Sequence, residues 1–472
     1  VQSPGNINGK IKEHCYVFDF APDRTLKVAA AATRLSYKAG TTTDQDRIVL
    51  GEFLNFCPVI GIDGSKMTYY SVNSLLQQLK KIEIDKVVSS GFEDSKLYND
   101  ELLKLDGLEL EKFNNLRKII GTTKQTKKQK EVDVNNQGLT NEQYEELKRI
   151  QKKKRDELTP EEKALLEKRK EQLNQKQTAI SILRGISIRI PLMIYGADVK
   201  DNEVITIDNF ADKVDDASWK EFMPNGVTKT IFEDFKKYYD KDVFEACGKR
   251  IRDSVRNADA LPPKERIKRI SEIFAQFKNP DKETVLTPWR VVNMHLGDCL
   301  GGYNFYNEDY SEQIEEPRFI DHGKVTKDIF NNPKVKVLEI NSKTGLYPLY
   351  MTYSIYRNKL NSPLATNKDY WRETVEKNIF VLCKTKMAKK ITQRTLVGFK
   401  DYKANIHVEE DIINKLKNKN EQLISELSNA ITWNMNDKTM EGKMKFDAIV
   451  GNPPYQENID NRGEQPPVYH LF

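Results

Sequence analysis

Apolar and polar positions follow two different rhythms along most of this 472-residue chain. From about residue 65 to 280 charged side chains dominate, and the apolar ones recur at roughly helical spacing: Tyr144, Leu147 and Ile150, then Leu165, Leu166 and Leu173. Two helix starts are marked. Thr140-Asn141-Glu142-Gln143 has the capping-box pattern, and Thr159-Pro160-Glu161-Glu162 adds proline at the first helical position. The pattern predicts a helical hairpin or arm, and the apolar stretch ISILRGISIRIPLMIYGAD (180–198) behind it should be core. From Asp281 onward strands alternate with helices. KVKVLEI (334–340) reads as a buried strand, Leu346 to Arg357 as the following helix, NIFVLC (378–383) as a second strand and FDAIVG (446–451) as another. That alternation predicts a mostly parallel sheet with helices on its faces, which takes ligands at the carboxyl ends of its strands.

The first sixty residues are α/β material of another kind. Cys15 to Phe20 form a short aromatic run of strand character, and Ala21-Pro22-Asp23 turns the chain into an alanine-rich helical stretch. The opening Val1-Gln2-Ser3-Pro4 with Tyr16-Val17-Phe18-Asp19-Phe20 resembles the tail of the second motor lobe in the helicase-like part of some restriction enzymes. An ordinary αβ fragment fits the same residues, and no GxxxxGK(S/T) phosphate loop occurs in the chain. The chain begins at Val1 with no methionine or signal-peptide pattern and stops at Phe472, so a fragment of a longer protein is expected.

Length, charge and cysteine usage narrow the setting. The chain is longer than single hydrophobic cores usually grow, so two or three domains are expected. No apolar run approaches a spanning helix, which excludes a membrane protein at this level. The five cysteines (Cys15, Cys57, Cys247, Cys299, Cys383) include no CxxC pair, which argues against a zinc site or disulfide framework and fits a reducing, intracellular compartment. A net charge of +6, from 76 basic and 70 acidic residues, permits a polyanionic partner without requiring one. Lys124 to Lys130 and Lys152 to Arg155 could track a DNA backbone, but the interleaved acids favour a solvated face of a long exposed helix. The five histidines show no paired ligand spacing, so no metal ligands are assigned, and no carboxylate-and-lysine nuclease site stands out.

The chemistry concentrates after the last strand, where Asn452-Pro453-Pro454-Tyr455 follows FDAIVG. A Pro-Pro pair can be a structural strand exit, because proline offers no N–H to a ladder. The same four residues also suit methylation of an exocyclic amine, whose lone pair is delocalised and poorly nucleophilic. If the Asn452 side-chain oxygen and the Pro453 carbonyl each accept one amino proton, the nitrogen is drawn toward tetrahedral geometry without a strong general base. Pro453 and Pro454 hold these acceptors in a stiff backbone, and the Tyr455 ring can replace the stacking lost by a base turned out of the duplex.

FDAIVGNPPYQEN resembles the catalytic motif of amino-group DNA adenine methyltransferases. The stretch from about 281 to 472, including NPDKETVLTPWRVVNM and LEINSKTGLYPLYM, is similar to the first half of that catalytic domain in combined restriction-modification enzymes. The resemblance implies S-adenosylmethionine as cofactor, double-stranded DNA with a flipped adenine as substrate, and a bacterial cytoplasmic setting. It implies a partial Rossmann-like methyltransferase domain (281–472), preceded by a largely helical coupling region with a charged arm (63–280) and the end of a helicase-like α/β lobe (1–62). Residue by residue, Glu339 matches the acidic position that can attract the cofactor's ammonium group, with Asn341 in the loop after it and Gly345 at the last glycine. Lys343 stands where a glycine is expected. Thr287 as N-cap and Pro288 in the first turn resemble the segment that leads a helix to the methionine end of the cofactor. Asp411 in HVEEDIIN (407–414) matches the acidic turn near the adenine, and no clear acid follows NIFVLC to hold the ribose hydroxyls.

The sequence thus leads to adenine-N6 methyl transfer within a restriction-modification enzyme. Any ATP-driven motor or nuclease would lie in the rest of the longer protein, and the chain alone is expected to be inactive or nearly so. Two alternatives remain: a protein glutamine methyltransferase, which also uses NPPY but is compact, and a non-catalytic DNA-binding coupler, which Lys343 would suit.

Overall fold

The computed structural model describes residues 59–63, 66–70, 84–123, 146–147, 149–151, 153, 157–199, 203–279, 286–363, 368–433 and 444–452. The motor-like start, the Thr140 capping pattern, the run Lys124 to Lys130 and Pro453 to Tyr455 lie outside them. The chain forms two compact units, residues 1–83, 102–104 and 127–177, and residues 84–101, 105–126 and 178–472.

In the first unit Val59–Asp63 (β1) and Lys66–Tyr70 (β2) pair antiparallel. Helix α1, Pro160–Ser187, starts there where the sequence places it: Thr159 Oγ1 accepts from the Glu162 N–H at 3.2 Å, while Glu162 accepts from the Thr159 N–H at 3.0 Å. This reciprocal cap satisfies two of the donors a helix start leaves orphaned.

The second unit contains the end of α1 and the wholly buried Ile190–Gly196 (α2). Taken together, the helical run Pro160–Gly196 is long and apolar enough to cross a membrane, contrary to the sequence expectation, because the apolar end of α1 continues almost directly into α2. With 89 % of its apolar window buried inside the protein, it has the burial of a core helix. Helix α2 packs against α4 (Lys241–Asp259) and α9 (Lys386–Val397), with Asp216–Phe222 (α3) also against α9. In Pro263–Gln276 (α5), the Arg266 guanidinium is bound to Asp259 at 2.9 Å and donates to the Arg394 and Thr395 carbonyls at the end of α9, each at 2.8 Å. It therefore satisfies the Thr395 carbonyl, joins the Gly398 N–H on the Arg394 carbonyl, and sits at the favourable end of the helix dipole. The compact units do not divide at residue 280: helices from residues 178–279 and the sheet share one unit.

Downstream of Trp289–Cys299 (α6), Gly302–Tyr306 (β3) and Gln313–Ile320 (β4) form an antiparallel hairpin. The sheet that matters for function is parallel, with strands Val337–Ser342 (β5), Ile379–Cys383 (β6), Asn405–Val408 (β7) and Ala448–Val450 (β8) in the order β7-β6-β5-β8. Leu346–Leu360 (α7) and Tyr370–Lys377 (α8) connect β5 to β6, α9 connects β6 to β7, and Ile412–Asn418 (α10) and Asn420–Leu427 (α11) precede β8. Strand side chains alternate between faces. Leu338, Phe380 and Leu382 pack with Ile412, Leu423, Leu427, Trp433 and Met444 on one face, which leaves Glu339 and Val381 to the other. Asp447 holds β8 beside β5: its carboxylate accepts from the Lys336 N–H at 2.7 Å and its own N–H donates to the Lys336 carbonyl at 2.8 Å. The chain runs β5, β6, β7 outward and then returns to the opposite side of β5, so strand order reverses between β5 and β8. Ligands of open parallel sheets bind at that reversal, outside the carboxyl ends of the strands.

Candidate functional site

Three chain segments meet at the reversal. The first is the end of β5. Glu339 is 4 % exposed, its Oε2 is buried with no hydrogen-bond partner, and burial pushes its carboxyl up to about 8, opposed only by the Ser342 hydroxyl. An isolated carboxylate out of water holds its proton or finds a cation. The chain then turns through Asn341, at a φ of 59°, and Gly345, at 74°, to begin α7. Positive φ is uncommon outside glycine, and asparagine tolerates it best. At Gly345 a Cβ would also lie 3.0 Å from Thr392 Cα, so the turn closes tightly on α9.

The second segment is the end of β8. Gly451 lies so near β5 that a Cβ would come within 2.9 Å of the Ile340 carbonyl oxygen and 3.7 Å of Glu339 Cγ. Its lack of a side chain lets the backbone just before Asn452 pass close to Ile340 and Glu339. The third segment precedes α6. Thr287 is buried and its Oγ1 accepts from Asn452 Nδ2 at 3.1 Å. Thr287 is not the N-cap expected from the sequence. Pro288 takes that place, and its carbonyl accepts from the Val291 and Val292 N–H groups, so the helix starts one residue later and Thr287 is left to hold Asn452.

The expected residues are therefore gathered unevenly. Glu339, Asn341 and Gly345 stand at and after the end of β5, and Asn452 after β8 is hydrogen-bonded to Thr287, which precedes Pro288 and α6; Pro453, Pro454 and Tyr455 lie outside the described residues. Asp411 is exposed at the end of β7, where its carboxylate accepts from Asn414 at 2.8 Å. Two strand spacings, about 10 Å, separate β7 from β5. Lys343 does not stand alone in the turn. Burial pushes up the carboxyl of Glu221 of α3, a residue with no local mark in the sequence, and the charge of Lys343 opposes this; the Glu221 carboxyl accepts from the Thr385 hydroxyl just after β6. Gly451, directly before the NPPY motif, was the one further residue that the sequence could have pointed to. Among the described residues no group of three or more His, Cys, Asp or Glu could hold a metal ion.

No curated protein and no solved structure matches the chain. Residues 377–471, from the end of α8 through β6, β7 and Asn452, match the family model of the Eco57I restriction-modification methylase, and this similarity supports a restriction-modification methylase acting on DNA.

Proposed function

We propose that the chain transfers a methyl group from S-adenosylmethionine to N6 of an adenine in DNA, as part of a longer restriction-modification enzyme. The observation that carries this reading is the buried Glu339 carboxyl, one of whose oxygens has no partner, beside Gly451 at the strand-order reversal. Glu339, the turn from Asn341 to Gly345, and Thr287 with Pro288 would hold the cofactor. An orphaned carboxylate suits its ammonium group, and the bare backbone at Gly345 suits close approach. When bound, the cofactor supplies an electrophilic methyl group on a sulfonium.

The protein's own contribution is to orient the acceptor. With Nδ2 given to Thr287, the Asn452 amide turns Oδ1 away as the acceptor for one N6 proton of the base. The Pro453 carbonyl is assigned the second proton. Two acceptors aim the nitrogen lone pair out of the ring plane, and no strong base is needed before transfer; as the N–CH3 bond forms and the S–CH3 bond breaks, a neutral thioether would leave and the nitrogen's surplus proton would pass along one of these hydrogen bonds to water. Tyr455 offers a ring face to the flipped adenine, worth about 1–3 kcal/mol by stacking. Asp411, after the outer strand, is assigned to the adenine end of the cofactor. A motor with its ATP use, a nuclease and the target-recognition part belong to the rest of the longer protein, and the chain alone is expected to bind cofactor but methylate little.

Calorimetry with S-adenosylmethionine tests the pocket. Wild type and Asn452→Ala bind alike and Glu339→Gln binds at least tenfold more weakly; equal binding by all three contradicts the assignment. Methyl label recovered as N6-methyladenine in DNA tests the reaction itself.

A further inference from the structure

Glu221 is a further carboxylate at the carboxyl ends of these strands, and the mechanism above leaves it unused. It reaches the site from α3, 164 residues before its partner Thr385. One oxygen accepts from the Thr385 hydroxyl, the other, Oε1, is buried without a partner, and the charges of Lys343 after β5 and Lys384 after β6 both act on it. Thr385 is in turn fixed as the N-cap of α9, accepting from the Ala388 N–H at 3.3 Å, while α3 is tied to the same turn by the Met387 N–H donating to Ser218 at 3.0 Å. Glu221 therefore stands over the end of the second strand of the βαβ unit. The residues that follow β6 in sequence, Lys384-Thr385-Lys386, offer no acid there. In nucleotide-binding sheets an acid at this place accepts from the ribose hydroxyls.

We propose that Glu221 supplies the carboxylate that accepts hydrogen bonds from the ribose diol of the cofactor, so that a helix outside the sheet completes the pocket. A neutral diol offers two donors to a carboxyl group with an empty acceptor; burial pushes that carboxyl up, and the charges of Lys343 and Lys384 oppose the push. Lys343 in the turn after β5 is then a partner for Glu221. The inference rests on the reading that the crevice binds S-adenosylmethionine, and it makes α3 a positioning element through which the helical region acts on cofactor affinity.

The test compares S-adenosylhomocysteine with its 2′,3′-dideoxy analogue by calorimetry on the 472-residue chain, wild type, Glu221→Ala and Glu221→Gln. Hydrogen bonds to two hydroxyls predict that wild type prefers the diol by about 10- to 100-fold. Glu221→Ala should bind both ligands within about threefold, with Glu221→Gln between the two. Melting of each unliganded variant accompanies the titration, and the isosteric Gln variant carries the test if Ala does not fold. An undiminished preference in a folded variant overturns the inference and leaves the cofactor reading standing. A wild type that binds neither ligand overturns that reading, and the inference with it.

Discussion

Glu339 makes the unliganded fold sensitive to pH in a way that can be worked out in advance. Burial raises its carboxyl from 4.5 to about 8. Between these values the unfolded chain has lost the proton and the folded chain keeps it, so the folded state binds more protons and stability falls as pH rises. The slope is about 1.4 kcal/mol per pH unit, which amounts to on the order of 5 kcal/mol across the whole window and about 2 kcal/mol between pH 6 and 8. Below pH 4.5 both states are protonated and above pH 8 both are ionised, so the contribution is flat on either side. Glu339→Gln removes the titration but keeps the shape. All four tryptophans, Trp219, Trp289, Trp371 and Trp433, lie in the second compact unit, so their fluorescence follows the unit that holds Glu339. In urea titrations at pH 6, 7 and 8, the variant should gain on wild type with each pH step. Parallel stability curves across that range would refute the assignment of a buried, protonated Glu339.

The same group predicts that cofactor binding at pH 7 releases roughly nine-tenths of a proton, read from calorimetry in two buffers of different ionisation enthalpy; no buffer dependence contradicts it. Gly451→Ala forces a Cβ to within 2.9 Å of the Ile340 carbonyl, and should cost about 1–3 kcal/mol in urea titration while lowering methyl transfer more than cofactor affinity. Thr287→Val removes the hydrogen bond that orients Asn452, and should lower kcat about tenfold in the full-length enzyme. Asp259→Ala leaves the buried Arg266 unpaired and should destabilise the second unit by about 3–5 kcal/mol, measured by the same fluorescence; a change under 1 kcal/mol contradicts this account of the clamp.

The two central strands were legible because they are buried nearly throughout and read as apolar runs, VLEI and IFVLC; AIV of β8 also falls where the pattern puts it, although Ile449 is exposed. The Thr159 cap was equally legible, since a capping box is a contact between residues three apart. Glu339 and Gly345 could be placed at the strand end and its turn, because both lie within a few residues of β5. What sequence spacing could not convey was contact across the chain. Thr287 sits 165 residues before Asn452, and its hydroxyl was free for that contact only because Pro288 took over the cap. Glu221 lies in a charged helical stretch with no local mark of a site; only the packing of α3 on α9 brings it to the strand ends. Burial was hidden too, since the letter Glu at position 339 does not say that one of its oxygens lacks a partner.

The most direct measurement gives the full-length protein that carries this chain duplex DNA and methyl-labelled S-adenosylmethionine, then digests the DNA to nucleosides beside an Asn452→Ala control. The account predicts label in the N6-methyladenine nucleoside, reduced by about 10²–10³-fold in the variant, as expected for losing a preorganised acceptor. Label in protein glutamine, equal label in the variant, or cofactor bound with no label in any nucleoside would each contradict it.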